Sequence, residues 1–246
     1  MKKEAVSVFW FRRDLRLEDN HGLFEALKSP FPVLPVFIFD SEITDELDKD
    51  DARITFIYDT LNKLSIQLGE RSSCIYCTKG DPIAVWRTLL NKYNVKSVYA
   101  NEDYEPYAIK RDQEVAQLLH QNDIQLHLFK DQVIFAKDDV LKGDKTPYTV
   151  FTPYKNKWLE LFAAESLQDY TSDKNPNFMK FEMPFPEISD LGFTRSSIKV
   201  QNYKLDQLDD YKTARNFPAK NLTSYLSPHL RFGTVSIRKV ILNIID

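Results

Sequence analysis

The sequence predicts an α/β fold: a doubly wound, mostly parallel sheet of five strands, followed by a connection and a short all-α segment. Three observations predict it. Short apolar runs typical of buried strands recur over the first 135 residues. Amphipathic helical patterns separate these runs. The alternation then breaks down in a polar, proline-containing stretch, and helical spacing returns near the end of the chain.

Five apolar runs predict the strands. They cover residues 6–11, 33–39, 74–77, 97–101 and 125–129. Apolar runs without alternation are typical of strands buried on both faces, as the strands of a parallel sheet are. Because a crossover between parallel strands is right-handed, helices are expected on both faces of the sheet. Such sheets bind ligands beyond the carboxyl ends of their strands, where the strand order reverses.

Three long helices are predicted between the strands. They cover residues 51–69, 81–93 and 104–121. The first carries apolar residues at helical spacing up to Leu68, and Gly69 is typical of a helix end. The second begins with Asp81 as an N-cap and Pro82 at the first helical position. The third has a proline in its first turn.

Three parts of the chain follow from these patterns. They are an α/β domain at residues 1–135, a connection at residues 136–210, and the start of an all-α domain at residues 211–246. The connection contains one predicted helix near residues 151–163, expected to pack on the α/β domain. Beyond it, Pro176, Pro184 and Pro186 lie among polar residues, as is typical of a linker.

The end of the chain carries an unusually apolar helical pattern. After Ser236, apolar residues recur at positions i, i+3, i+4, i+7 and i+8, namely Ile237, Val240, Ile241, Ile244 and Ile245. A helix this apolar needs a partner surface. We therefore expect a truncated all-α domain, of which the chain contains only the first helices. The alternative is a terminal helix that docks back on the α/β domain.

Composition excludes several classes of function. The formal net charge is −3, so no global positive field attracts the chain to phosphate backbones. Apolar residues are 43% and charged residues 28%, which is ordinary for a globular protein. Neither a signal peptide nor a membrane-length apolar run is visible, which predicts a soluble cytoplasmic protein with no membrane partner. With only 6 glycines and neither a G-x-G-x-x-G motif nor a P-loop, the usual dinucleotide and nucleoside triphosphate motifs are missing.

Other reactive residues are interpreted as structural. Cys74 and Cys77 form a C-x-x-C pattern inside a predicted strand, with no second pair at metal-ligand spacing, so core cysteines are favoured over a redox or zinc site. The acidic run at residues 42–51 is typical of a solvated loop and helix start. The four histidines are scattered, with no nucleophile beside them. No catalytic and no metal-binding residue is predicted.

A cluster of charge follows the first strand. Arg12, Arg13, Asp14 and Arg16 are compatible with a phosphate or DNA patch. Clustered arginines near aspartates more often pair with carboxylates, and we therefore interpret the cluster as an Arg–Asp network that holds the turn.

The same region carries a recognisable signature. Residues 8–20, Val-Phe-Trp-Phe-Arg-Arg-Asp-Leu-Arg-Leu-Glu-Asp-Asn, resemble the opening motif of the photolyase and cryptochrome family. Further similar segments follow in order at Arg53 and Phe56, residues 104–107, residues 111–112, residues 147–154 with Trp158, and residues 221–233. The resemblance extends over nearly the whole chain and implies a Rossmann-like antenna domain followed by the start of a helical FAD-binding domain.

The resemblance also implies cofactor-binding residues. Taken alone, hydroxyl residues at a helix start are ordinary caps, although such a helix start also suits a phosphate group. In the family, a Thr-Ser-x-Leu-Ser segment holds the FAD diphosphate, and an upstream tyrosine also contacts FAD. The matching residues here are Tyr211, Thr223, Ser224, Leu226 and Ser227.

The family's chemistry sets the functional expectation. Its photolyases use blue light and FAD to split cyclobutane pyrimidine dimers in damaged DNA, and a second pigment serves as antenna. Members that bind folate in the bacterial manner carry an Asn-Glu pair at the positions of Tyr107 and Ala108, and that pair is missing here. Folate, a deazaflavin and flavin mononucleotide (FMN) therefore all stay open as the antenna.

Three functions remain in competition. The first is a deoxyribodipyrimidine photo-lyase, with damaged DNA as the partner of the full-length protein and no partner predicted for the fragment, which would be inactive alone. The second is a cryptochrome photoreceptor, and the third is a stand-alone nucleotide-binding α/β module with AMP or ATP in the cleft.

Overall fold

A five-stranded parallel sheet forms the centre of the protein. The computed structural model describes residues 3–164, 167–206 and 211–245. The strands are β1 (Ala5–Phe11), β2 (Val33–Asp40), β3 (Tyr76–Gly80), β4 (Asn94–Asn101) and β5 (Gln125–Phe129). Their order is β3-β2-β1-β4-β5, and every neighbouring pair is parallel. The predicted fold class is therefore confirmed.

Helices flank the sheet and continue beyond it. They are α1 (His21–Leu27), α2 (Ser41–Thr44), α3 (Ala52–Gly69), α4 (Pro82–Lys92), α5 (Pro106–His120), α6 (Phe151–Ala164), α7 (Tyr211–Ala214), α8 (Leu226–Arg231) and α9 (Ile237–Ile245). The predicted starts of α3 and α4 are confirmed, because Asp51 accepts a hydrogen bond from the backbone N–H of Arg53 at 2.8 Å and Asp81 accepts one from Ala84 at 2.8 Å. These contacts satisfy N–H groups that have no partner inside the helix.

The sheet buries both of its faces. One face carries Phe9, Phe11 and Phe37, which pack against α1 and α3. The other carries Trp10 and Ile38, which pack in the core that includes residues of α4 and α5. Because both faces are covered, the strands are apolar without alternation, as the sequence indicated.

Strand β3 and helix α1 differ from the sequence prediction. The apolar run at residues 74–77 predicted the strand too early, since the ladder runs from Tyr76 to Gly80 opposite Val36 to Asp40. Polar residues extend this strand because it lies at the edge of the sheet. Helix α1 was not predicted, because its 7 residues are too few to show a helical period.

The connection packs closely on the α/β core. Val33 at the start of β2 accepts a backbone hydrogen bond from Met179 at 2.8 Å, and its own N–H donates to Asn177 at 2.9 Å. Phe178 and Phe193 are buried in the core that contains α1 and α3. The segment predicted as a linker therefore completes one side of the hydrophobic core, although the domain boundaries themselves stay predictions.

The terminal helix α9 is partly docked. Arg238 and Val240, in its first turns, are buried, whereas Ile244 and Ile245 are about 60% exposed. The start of α9 therefore docks on the α/β domain, its end presents apolar side chains to solvent, and the truncated all-α domain stays a prediction.

No helix of the described residues is long and apolar enough to cross a membrane. Among the same residues, no group of three or more His, Cys, Asp or Glu side chains is arranged to hold a metal ion. Cys74 and Cys77 are both buried and free, and burial raises the pKa of each thiol, to about 12 for Cys77. The two cysteines thus lie where core residues are expected.

His21 ties the connection to helix α1 and gives a pH-dependent contribution to stability. Its ring stacks on Tyr170 at 4.0 Å, and Nδ1 lies 3.1 Å from the carbonyl of Lys130. Burial lowers the pKa of His21 below its ordinary value. A folded pKa below the unfolded value of about 6.5 means that this contribution is present above that pH and is lost as the pH falls through the folded pKa.

We expect the free energy of unfolding to fall between pH 7.5 and pH 5.5, and His21→Gln to reduce that fall. Urea unfolding at both pH values measures it. The matched control is His120→Gln, since His120 is exposed at the end of α5 and its replacement is expected to keep the full pH dependence. An unchanged pH dependence in His21→Gln would contradict the assignment.

Candidate functional site

A cleft lies beyond the carboxyl ends of the central strands. Its volume is about 520 Å³, within the range of small-molecule sites. Residues of β1 and β2, of α2, α3 and α5, and of the turn after α8 line it. The chain adds β2 and β3 on one side of β1 and β4 and β5 on the other, so the cleft borders the point where strand order reverses.

Arg12 follows β1 directly and is the distinctive polar residue of the cleft. Its side chain is 5% exposed, and its Nη1 forms an ion pair with Asp112. The remaining edge of the guanidinium, Nε and Nη2, has no hydrogen-bond partner in the part of the chain that the structure describes. Both nitrogens are shielded from solvent, so an acceptor on a ligand reaches them only with a small adjustment of the surrounding side chains. Leaving such buried donors unpaired is costly, which favours a ligand with two adjacent acceptors.

A chain of charged and hydrogen-bonded groups holds Arg12 in place. Asp112 also accepts from Arg111 at 3.2 Å, and Arg111 lies 3.6 Å from the carboxylate of Asp40. Asp40 accepts a 2.7 Å hydrogen bond from the hydroxyl of Tyr107, whose pKa is raised by burial and by that carboxylate. Carboxylates from β2 and α5 thereby fix the guanidinium before any ligand arrives.

Trp10 lies buried against this charged chain. The indole is 2% exposed and lies in the T-shaped arrangement with Trp86 at 5.6 Å. The guanidiniums of Arg12 and Arg111 lie 5.2 and 4.9 Å from its ring centroid. The apolar part of the cleft is completed by Phe37, Phe39, Ile54 and Ile57. The cleft therefore suits a flat, largely apolar ligand with a polar edge.

The predicted Arg–Asp network after β1 is confirmed, with partners from elsewhere in the chain. Arg16 pairs with Asp131 at 2.7 Å, and Arg13 pairs with Asp103 at 3.1 Å. Asp14 instead accepts from the N–H of Arg12 at 2.7 Å, and burial raises the pKa of Asp14. The network holds the turn, but it leaves the free edge of Arg12, which the sequence interpretation did not foresee.

Gly233 allows the tail to approach this turn closely. Its φ is +62°, and a Cβ there would lie 2.2 Å from the carbonyl oxygen of Arg13. The carbonyl of Gly233 accepts from Arg16 at 3.1 Å, and Leu15 donates its N–H to Phe232 at 3.0 Å. Only glycine fits this contact, so the turn between α8 and α9 is fixed against the turn after β1.

The structure brings four of the five predicted FAD-binding residues onto one short segment. Thr223 and Ser227 are exposed, and Ser224 and Leu226 are half-buried. Tyr211 lies separately on α7 and is 43% exposed, and in the described part of the chain no hydrogen bond or ring contact joins it to the segment. Their role in binding FAD stays a prediction.

Helix capping does not use most of these hydroxyls. The N-cap of α8 is Tyr225, with φ 54° and no side-chain capping bond. The hydroxyl of Ser224 accepts only a 3.4 Å contact from Leu226. Within the described residues the hydroxyls of Thr223 and Ser227 form no hydrogen bond, so they are available to a ligand. These residues therefore fit a diphosphate group.

The fold and this site place the chain in a known class. The chain belongs to the DNA photolyase family, whose model matches residues 7–174.

Individual proteins with similar sequences include photolyases. The chain is 30% identical over 254 residues to a deoxyribodipyrimidine photo-lyase of Synechococcus sp. PCC 6301, covering 96% of this chain and 52% of that protein. It is also 31% identical over 253 residues to an uncharacterized 31.6 kDa protein of Synechococcus sp. PCC 6716, covering 96% of this chain and 87% of that protein. The chain thus spans about half the length of the curated photolyases that it matches.

A solved structure agrees over the whole fold. The archaeal photolyase of Sulfolobus tokodaii is 27% identical, with a TM-score of 0.74 over 98% of this chain and 54% of that chain. That protein is described as containing two FAD molecules, with the implication of a novel light-harvesting cofactor.

Proposed function

We propose that this chain supplies the light-harvesting part, and the first FAD contacts, of a deoxyribodipyrimidine photo-lyase. The observation that carries the proposal is the free edge of the buried Arg12, in a cleft at the switch point of a photolyase-family sheet. The partner of the whole protein is damaged DNA, and the compartment is the cytoplasm.

Two pigments are implied, and different residues of this chain hold them. When bound, the antenna pigment would supply excitation energy to FAD, and FAD would supply the electron that splits a pyrimidine dimer and would take that electron back once the dimer has split. The protein's part is to bind and orient the pigments and to exclude water from them.

The antenna pigment proposed for the cleft is a flavin or deazaflavin. The ring edge of either pigment carries a carbonyl oxygen next to an unprotonated ring nitrogen, and this pair of adjacent acceptors suits the Nε and Nη2 edge of Arg12. The accessible apolar side chains of Ile43, Leu47 and Ile57 in the cleft wall suit the flat body of the ring system. The missing Asn-Glu pair at Tyr107 and Ala108 removes the family's folate contact, which supports the same choice.

FAD is proposed to bind through the segment at residues 223–227. The hydroxyls of Thr223, Ser224 and Ser227 donate to the diphosphate, because a hydroxyl without an internal partner can donate to an anion without breaking an existing bond. Leu226 would add an apolar contact to the cofactor, and the exposed ring of Tyr211 would add a contact from α7.

Removing two of these hydroxyls tests the FAD assignment. In the full-length gene product, Thr223→Ala combined with Ser227→Ala is expected to weaken FAD binding by at least about 100-fold, since each hydrogen bond to a charged group contributes about 1.5–3 kcal/mol. Fluorescence titration with FAD measures the loss. The control is Thr88→Ala, an exposed hydroxyl on α4. Equal FAD affinity in both variants would overturn the assignment.

A repair assay tests the function itself. The purified full-length protein is illuminated with blue light together with an oligonucleotide that contains a cyclobutane thymine dimer, and the released pigments are identified by mass. Light-dependent loss of the dimer, with FAD and a second flavin-type pigment, is the expected result. A coloured protein without repair would favour a cryptochrome, and a colourless protein would favour a nucleotide-binding module.

A further inference from the structure

A second and larger cavity lies along helix α3. Its volume is about 890 Å³, and it is bounded by α3, by residues 15–18 after β1, and by residues 195–203 of the connection. Lining residues of the helix run from Ala52 to Gln67, which is about 22 Å at 1.5 Å per residue. We call it the α3 groove. None of the residues that the antenna cleft and the FAD segment use for binding lines it.

Two arginines that line the α3 groove each carry a buried guanidinium nitrogen with no hydrogen-bond partner among the described residues. Arg16 is 7% exposed, and its Nε has no hydrogen-bond partner although both of its terminal nitrogens are bonded. The Nη2 of Arg71 donates to the carbonyl of Asp173, and the guanidinium lies 5.5 Å from the ring centroid of Phe178. The Nη1 of Arg71 is buried and has no hydrogen-bond partner in the described part of the chain. Unpaired cationic donors of this kind favour an anionic acceptor.

The fold brings these two arginines towards each other. The hydroxyl of Ser172 donates to the carbonyl of Leu17, next to Arg16. Asp173, the neighbour of Ser172, accepts from Arg71. A short path through the connection therefore links the two donors on one side of the groove.

The charges on the groove wall leave a local positive excess. Asp59 is paired with Arg195 at 2.7 Å, and Glu18 is paired with Lys239. In the described part of the chain, Lys63 and Lys199 form no ion pair. Arg16 is paired with Asp131, and the carboxylates of Glu70 and Asp173 also line the groove, so the excess is modest and lies at Arg71, Lys63 and Lys199.

The other end of the groove is aromatic. The ring of His229 forms edge contacts with Phe56 at 5.4 Å and with Tyr203 at 5.2 Å. Tyr203 is 39% exposed and Phe56 is half-buried, so both present ring surface to the cavity. Phe56 and Lys63 are seven residues apart on α3, or about 10 Å along the helix axis.

We propose that the α3 groove binds a nucleoside phosphate, separately from both pigments. The base packs against Phe56 and Tyr203, and the phosphates accept hydrogen bonds from Arg71, Lys63 and the Nε of Arg16. Two observations carry this assignment: the buried Nη1 of Arg71, which has no hydrogen-bond partner among the described residues, lies in the same cavity wall as Lys63, and the rings of Phe56 and Tyr203 line the same cavity, with Phe56 about 10 Å from Lys63 along α3. The site would make the protein responsive to a soluble nucleotide as well as to light.

ADP is the probe, titrated by calorimetry into full-length protein presaturated with FAD and FMN so that the pigment sites are filled. Lys63→Glu is expected to weaken ADP binding at least tenfold, and Arg71→Gln more strongly. Because Lys63 is exposed, its replacement leaves the fold intact even if Arg71→Gln does not. The matched control is Lys110→Glu, an exposed charge reversal on α5, which is expected to bind ADP as the unmodified protein does.

Two further probes separate the ends of the groove. Tyr203→Ala is expected to weaken ADP and leave inorganic pyrophosphate unchanged, whereas Lys63→Glu weakens both. Absence of saturable ADP binding would overturn the proposal. So would ADP binding that is insensitive to Lys63→Glu and Tyr203→Ala but lost in Thr223→Ala with Ser227→Ala, since ADP would then occupy the FAD site. Neither result bears on repair, so failure here is distinguishable from failure of the proposed function.

Discussion

Replacing Arg12 with glutamine is expected to weaken binding of the antenna pigment by roughly 10- to 100-fold, corresponding to about 1.5–3 kcal/mol for hydrogen bonds to a charged group. The side chain offers two unpartnered N–H groups on one edge, held by the ion pair of its third nitrogen with Asp112. Glutamine retains one amide donor group but loses the charge and the fork. FMN titration and the ratio of pigment to purified full-length protein measure the effect.

Two further variants sharpen this prediction. Arg12→Lys keeps the charge without the fork, and is expected to restore little of the affinity, because lysine is a point charge and cannot bind two adjacent acceptors side by side. Arg87→Gln, the same change at an exposed position on α4, serves as the control. If Arg12→Gln retains pigment at the unmodified ratio, with unchanged urea unfolding, Arg12 does not hold the antenna.

The second large effect is expected at Arg238, which docks α9 on the α/β domain. Its guanidinium contacts Asp19 at 3.0 Å and Asp131 at 2.9 Å, and both carboxylates are at most 1% exposed. Burial opposes ionisation of Asp131, yet Arg16 and Arg238 hold its pKa below the ordinary value. Arg238→Met is expected to cost about 3–5 kcal/mol of unfolding free energy, since it leaves buried carboxylates short of a partner.

The neighbouring lysine provides the comparison. Lys239 pairs with the exposed Glu18, and Lys239→Met is expected to cost no more than about 1 kcal/mol. Urea unfolding at pH 7 measures both variants. Because the pKa of Asp131 is depressed in the folded state, its contribution is present above the unfolded value of about 3.9 and is lost as the pH falls through the lower folded value. Equal losses in the two variants would show that the ion pairs of Arg238 contribute no more than a surface pair.

The fold was predictable from local patterns because most strands are continuous apolar runs and each long helix carries apolar residues at helical spacing. The predicted bounds of strand β3 were wrong because its end at Gly80 is set by pairing with β2 at the sheet edge rather than by apolar residues. The packing of Phe178 on the core was not predictable, since it depends on a backbone pairing with Val33 that is distant in sequence.

The site was less accessible to sequence reasoning for a similar physical reason. The charge cluster after β1 correctly indicated an Arg–Asp network. Whether an arginine in it retains free donors depends on Asp112, 100 residues away, which takes only one nitrogen of Arg12. The position of Arg12 immediately after a central strand was the available signal. The burial of Arg238 was not predicted, because the pattern of the terminal helix indicated only an apolar stripe.

The contacts at Gly233 and Arg231 bear on how the two proposed pigments work together. Arg231 ends α8, which includes the last residues of the proposed FAD segment. It donates to Glu105 at the cleft rim at 2.6 Å, and its carbonyl accepts from Arg13 at 3.2 Å. The two proposed pigment sites are thus joined through one six-residue helix rather than a flexible tether. Transfer of excitation depends on the mutual angle of two transition dipoles as well as on their separation. Loosening the contacts at Gly233 and Arg231 would therefore lower the quantum yield of energy transfer from the antenna while both pigments stay bound.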